Sequence, residues 1–243
     1  MLKRLLTLFF FVLGIVTIFA GIGFYLYVKD PLKANNDTYQ ETLQNNSLAI
    51  TENGAYFKIQ RKVSNPTVGI IFYPGGKVEP EAYVQNMSFL ALTKDVTVFV
   101  VRMPFNLAVF GINAASTIIA NEPNIKDWYI GGHSLGGVMA CEYAASHEQQ
   151  IKGLFLFASY CNRDVSNMQI KVLSISGLND GLAPRTEIEQ NLNKLPHQKT
   201  TIFIEGMNHS QFGDYGDQPG DGQASISREE ADRQVTLAVG SWL

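Results

Sequence analysis

Trp128-Tyr129-Ile130-Gly131-Gly132-His133-Ser134-Leu135-Gly136-Gly137-Val138 decides the fold. The apolar residues Trp128 to Ile130 predict a buried strand. The small residues from Gly137 to Ala145 predict a helix that packs closely on its surroundings. Between them, Gly132-His133-Ser134-Leu135-Gly136 matches G-x-S-x-G. A chain that turns from strand to helix over one Ser holds that residue in a strained conformation and lifts its hydroxyl clear of the turn. Glycine is needed at both flanks because strand and helix approach too closely there for a Cβ. Ser134 is therefore the candidate nucleophile, with a plain Gly-rich turn as the competing reading.

Outward from this stretch, strands and helices alternate. Strands are expected at residues 55–62 (an edge strand), 68–73, 96–101, 153–158, 170–176 and 200–205. Helices are expected at 80–92, 107–120, 187–195 and 227–243. Continuous apolar strands alternating with helices imply an α/β fold, a mostly parallel central sheet with helices on both faces. A chain of 243 residues accommodates one such domain, residues 48–243, plus an appendage.

In open α/β sheets, ligands sit outside the carboxyl ends of the strands. Asp95 and Asp127 precede their strands and fall at the wrong edge. Asp180, in Gly177-Leu178-Asn179-Asp180-Gly181, follows a strand; so does Asp164, the second choice. Of the four histidines, His209 follows the strand at 200–205 and completes the order Ser, Asp, His. His133 lies in the turn itself, and its ring is expected to project away from the nucleophile. His147 ends a helix, where it complements the dipole. His197 lies at the wrong edge. A serine hydroxyl is a poor nucleophile until a base takes its proton. His209 would be that base, and Asp180 would orient it. The charge that develops on a carbonyl oxygen needs preformed donors. The backbone N–H groups of Leu135 and of Gly76, in Tyr73-Pro74-Gly75-Gly76, fit that role.

Taken together, Tyr73-Pro74-Gly75-Gly76, Gly132-His133-Ser134-Leu135-Gly136-Gly137, Gly177-Leu178-Asn179-Asp180-Gly181 and Asn208-His209 resemble the α/β-hydrolase superfamily over residues 68–243. The sequence is most similar to the compact, lidless branch called α/β-hydrolase family 5. That branch is similar to dienelactone hydrolases, with Ser where those enzymes carry Cys. The usual His-Gly of the oxyanion loop is Pro74-Gly75 here, a change that leaves a backbone donor intact. The resemblance implies the α/β-hydrolase fold and hydrolysis of an ester or similar acyl bond, without naming a substrate. Acyl transfer, thioester cleavage or peptide hydrolysis would use the same trio, and a non-catalytic binding module is the alternative outside enzymes. Residues 159–169 are too few to hold a helical lid. Residues 210–226 form a long loop directly after the base, expected to wall the pocket, with its aspartates solvated rather than holding Ca²⁺. No metal and no cofactor are expected.

The amino terminus carries the second strong signal. Residues 5–28 contain no charged side chain, and a membrane span needs about 20 apolar residues. Lys3 and Arg4 before it would keep the first residues in the cytoplasm and send the bulk outward. A cleaved signal peptide is the rival reading, with a shorter apolar core and an A-x-A site that is not evident here. Residues 1–28 are thus read as a membrane anchor or signal peptide, and residues 29–47 as a polar linker or loosely packed arm. A net charge of -3 without a basic run excludes a nucleic-acid partner. The expected partners are a small-molecule or envelope-derived ester and the membrane; oligomeric state is not legible. Cys141 and Cys161 are too few for a disulfide scaffold, and Cys141 reads as a buried, inert thiol.

Overall fold

In the computed structural model, which describes residues 2–243, the chain forms two compact units, one ending at Pro31 and the other spanning Leu32–Leu243. The first is helix α1 (Leu2–Val28). Its segment Arg4–Val28 is long and apolar enough to cross a membrane, with a mean hydropathy of 2.7 over its most apolar 18 residues. A signal sequence has the same character.

The second unit begins earlier than residue 48. Asn35 caps helix α2 (Asn36–Leu43) by accepting from the Asp37 N–H, and Tyr39 packs edge-on to Phe57. The polar stretch read as a linker thus contains a docked helix. The sheet has eight strands: β1 (Leu48–Glu52), β2 (Tyr56–Arg61), β3 (Val68–Tyr73), β4 (Thr97–Val101), β5 (Asp127–His133), β6 (Gly153–Phe157), β7 (Lys171–Gly177) and β8 (Lys199–Ile204). Their order is β1-β2-β4-β3-β5-β6-β7-β8. Only β2 runs against the direction of the other strands. It lies between β1 and β4 and so is not the edge strand; that position belongs to β1, whose residues alternate too weakly to stand out.

Side chains on successive strand residues face opposite sides of the sheet. Ile70, Phe72 and Phe157 join one core, covered by helices α3 (Val84–Thr93), α6 (Arg185–Asn191) and α7 (Arg228–Trp242). Ile71, Tyr73 and Leu156 join the other, covered by α4 (Ala114–Asn121) and α5 (Leu135–Ser146). The helix expected from residue 107 begins only at Ala114. Ahead of it the chain makes two 3-10 turns, Pro104–Asn106 and Ala108–Phe110, with Phe105 and Asn106 in the left-handed region. No helix interrupts the connection from β6 to β7.

Cys141 and Cys161 form a disulfide, so Cys141 is not the free thiol that composition suggested. Parallel pairing of β5 and β6 brings the segment after β6 against α5, and the two Cα atoms come within 5.7 Å. Replacing both by Ala is expected to lower stability by about 2–4 kcal/mol, the usual cost of opening such a loop. Urea titration of the oxidised protein and the double variant checks this; equal stabilities would contradict it.

Asp232 of α7 is buried beside Asn86, with one carboxylate oxygen unpartnered among the described residues. Burial pushes its carboxyl up to about 7 from an ordinary 3.8. Between those values the folded chain holds a proton that the unfolded chain has released. Stability therefore falls as pH rises through that window and levels off above it. Asp232→Asn should flatten this decline and add on the order of 2–4 kcal/mol on its alkaline side. Denaturation midpoints on both sides of the window test it, and an unchanged alkaline midpoint would contradict it.

Candidate active site

The turn from β5 into α5 is as crowded as the sequence requires. A Cβ on Gly132 would lie 2.4 Å from the Tyr73 carbonyl oxygen, and one on Gly136 would lie 2.1 Å from the same atom. Ser134, between them, has φ 52° and ψ -125°, a conformation rare for a residue with a side chain. Its N–H donates to the Phe157 carbonyl at 2.9 Å, and its carbonyl accepts from Ser159 Oγ at 2.7 Å. Ser134 is partly exposed at the carboxyl edge of the sheet, where Leu135 opens the helix.

Asp180 and His209 meet at that edge. His209 Nδ1–H donates to Asp180 Oδ2 at 2.8 Å, with both side chains almost wholly buried. The other carboxylate oxygen accepts from the N–H groups of Leu182 and Ala183 at 2.8 and 2.7 Å, which fixes its orientation. This pairing defines the His209 tautomer and leaves Nε2 for chemistry. Among the described residues no hydrogen bond joins Ser134 Oγ to His209. Such links are often open before substrate binds.

Asp164 is exposed, and its carboxylate caps the Ser166 N–H, away from His209. His147 Nδ1–H donates to the Tyr143 carbonyl at 3.0 Å, as expected of a ring at a helix end. His197 is exposed. The His133 ring lies 4.5 Å from the His209 ring, a neighbour that the sequence did not reveal. Burial, reinforced by His209, holds the His133 imidazole well below its usual range, so it is neutral. Nδ1 accepts from the Tyr83 hydroxyl at 2.9 Å. Nε2 lies near the His209 backbone, outside hydrogen-bond geometry.

The Tyr83 hydroxyl also accepts the Gly75 N–H at 3.0 Å. Burial raises the Tyr83 phenol, which keeps its proton for His133. One buried tyrosine therefore pins the glycine loop to the strand that carries Ser134. A Cβ on Gly76 would lie 3.1 Å from Leu135 Cδ2, so the two proposed oxyanion donors come from adjoining backbone. Among the described residues, neither N–H is taken by a backbone acceptor outside the helix ladder.

The long loop after His209 does not consist of solvated aspartates. Asp214 is buried and pairs with Arg228 Nε at 3.2 Å. Asp221 Oδ1 accepts from the N–H groups of His209 at 3.1 Å, Gly181 at 3.2 Å and Gly222 at 2.8 Å; Oδ2 accepts from Ser210 at 2.8 Å. One carboxylate thus joins the loop of Asp180 to the loop of His209. Only Asp217 is exposed. Among the described residues, no group of acidic, His or Cys side chains could hold a metal ion. Tyr83, Ser159 and Asp221 were not legible as site residues, because each acts through partners distant in sequence.

The family model described as the alpha/beta hydrolase family matches residues 69–233. No curated protein matches in sequence. Similar solved structures include an esterase from Pyrobaculum calidifontis, at 14% identity and TM-score 0.61, covering 86% of this chain and 92% of that one. A bacterial membrane phospholipase A aligns at 11% identity and TM-score 0.60, over 95% of this chain and 98% of that one. A monoacylglycerol lipase from Paleococcus ferrophilus aligns at 13% and TM-score 0.59, over 80% and 98%. These likenesses establish a shared fold.

Asp221→Ala would leave four backbone donors without their acceptor. A loss of about 1–3 kcal/mol is expected, the usual penalty for orphaned buried groups. Faster amide exchange should appear in both residues 179–183 and residues 208–212. Faster exchange confined to the second segment would contradict a clamp between the loops.

Proposed function

Because the chain belongs to the alpha/beta hydrolase family, we propose that it is a serine hydrolase that cleaves carboxylic esters, with its catalytic unit held at the outer face of the membrane. The observation that carries the reading is the 2.8 Å His209–Asp180 pair at the sheet edge where Ser134 occupies a strained strand-to-helix turn.

In this reading His209 Nε2 takes the proton of Ser134 Oγ as that oxygen attacks the ester carbonyl. Asp180 holds the imidazole in the tautomer that can accept it and stabilises the imidazolium. The oxyanion is met by the N–H groups of Gly76 and Leu135. Collapse expels the alcohol, which takes its proton from His209, and leaves an acyl group on Ser134. Water, deprotonated by His209, then releases the acid. The short connection from β6 to β7 carries no helix that could serve as a lid.

Two observations favour the outer face. Lys3 and Arg4 lie before the uncharged run that ends at Val28. The Cys141–Cys161 disulfide is chemistry of oxidising compartments.

Ser134→Ala and His209→Ala should each reduce p-nitrophenyl acetate turnover by about 10³-fold or more, and the double variant should be little worse than either alone. Asp180→Asn should cost far more than Asp164→Asn. Steady-state kinetics on the folded variants decides; retained turnover in Ser134→Ala would refute the mechanism.

A further inference from the structure

Resting on the ester-hydrolase reading, we propose that the mouth of the site opens onto the bilayer surface and that its substrates are acyl esters seated in the lipid. The argument begins with chain length. Lys29, Asp30 and Pro31 alone separate the apolar run from Leu32. An extended chain advances at most about 3.6 Å per residue, so a bilayer that holds the run lies within about 14 Å of Leu32 along the chain.

Leu32 is fixed beside the oxyanion loop. Its N–H donates to the Lys77 carbonyl at 2.6 Å, and its carbonyl accepts from the Glu79 N–H at 3.0 Å. The next residues are held as firmly: the Ala34 N–H donates to the Glu79 carboxylate at 3.0 Å, and the Asn35 N–H to the Asp214 carbonyl at 2.8 Å. The tether therefore enters the catalytic unit one residue past Gly76, the proposed oxyanion donor.

The same backbone row continues into an apolar rim. The Lys77 N–H donates to the Asn106 carbonyl at 2.7 Å. That loop carries Phe105, Val109 and Phe110, which are 56%, 43% and 54% exposed, while its Leu107 turns inward over Gly76. Lys77, Phe105 and Asn106 all have φ between 54° and 62°. Left-handed backbone is costly for bulky residues, and such outliers concentrate at functional sites. Phe105 and Phe110 pack edge-on to each other, with 5.8 Å between ring centroids, and moving such apolar surface into an acyl phase is worth about 25 cal/mol per Å². Leu32, the oxyanion loop and the rim thus adjoin one another, and a tether of three residues before Leu32 would keep them near the lipid.

The test uses the full chain in phosphatidylcholine vesicles, with 4-methylumbelliferyl oleate in the lipid and 4-methylumbelliferyl acetate in the water. One variant carries about twenty Gly/Ser residues between Asp30 and Pro31, a coil spanning roughly 25 Å. Another combines Phe105→Asn, Val109→Ser and Phe110→Ser. Each should lower oleate turnover about tenfold by diluting the mouth from the surface, with acetate turnover unchanged. Independently of activity, Phe110→Trp should gain fluorescence quenched by brominated phosphatidylcholine, and the long linker should abolish that quenching. Undiminished oleate turnover in both variants, or a Phe110→Trp signal that brominated lipid leaves unquenched, would overturn the proposal. So would a dimer that the rim variant dissolves, or an anchor found cleaved from the membrane protein. Inertness towards both esters would overturn the ester-hydrolase reading and the substrate assignment with it, while quenching would still report the orientation.

Discussion

The carbonyl oxygen of Tyr73 is the point on which the structure depends. Gly132 at the end of β5 and Gly136 in the first turn of α5 both press against it, at distances no Cβ could occupy. Three chain segments share that point: the end of β3, the end of β5 and the start of α5. The crowding leaves Ser134 a left-handed φ. It also sets Leu135 beside Gly76, so the candidate nucleophile and both candidate oxyanion donors follow from one close approach of backbone. A methyl group at either glycine would separate all three together.

A second set of contacts holds the surrounding loops to this centre. Tyr83 joins Gly75 to His133, and the His133 ring backs the His209 ring. Asp221 joins the loop of Asp180 to the loop of His209. Ser159 holds the carbonyl of Ser134, and the nearby disulfide ties α5 to the segment that carries Ser159. Loops that bear function need such support, because their own backbone makes few regular hydrogen bonds. The hydrogen bonds of Tyr83 to Gly75, of Asp221 to Gly181 and His209, and of Ser159 to Ser134 each end on a backbone amide or carbonyl, so they govern position.

Where a local pattern carried its own physical reason, the sequence was legible. β3 is an unbroken apolar run, and the Ser134 turn is bounded by glycines that sterics demand. Both appear as read. The loop of Asp180 and that of His209 were placed by the rule that sites form at the carboxyl ends of strands, and the two side chains do meet. The failures share a cause as well. β1, Leu-Ala-Ile-Thr-Glu, has little alternation and becomes a strand only by pairing with β2. The helix expected from Leu107 is delayed because Pro104, Asn106 and Gly111 favour turns, whereas hydrophobicity alone runs through them. The disulfide depends on the pairing of β5 with β6. The docking of Leu32 depends on pairing with a distant segment, a bridge to Val78 and a hydrogen bond to the Lys77 carbonyl.

If Ser134 is the nucleophile that carries the acyl group, a fluorophosphonate should modify it in the folded full chain. Intact-mass and peptide spectrometry should then show one adduct per chain, on the peptide containing Ser134, and none once the protein is unfolded before reaction. An adduct on another residue, or an unmodified folded chain, would contradict that role.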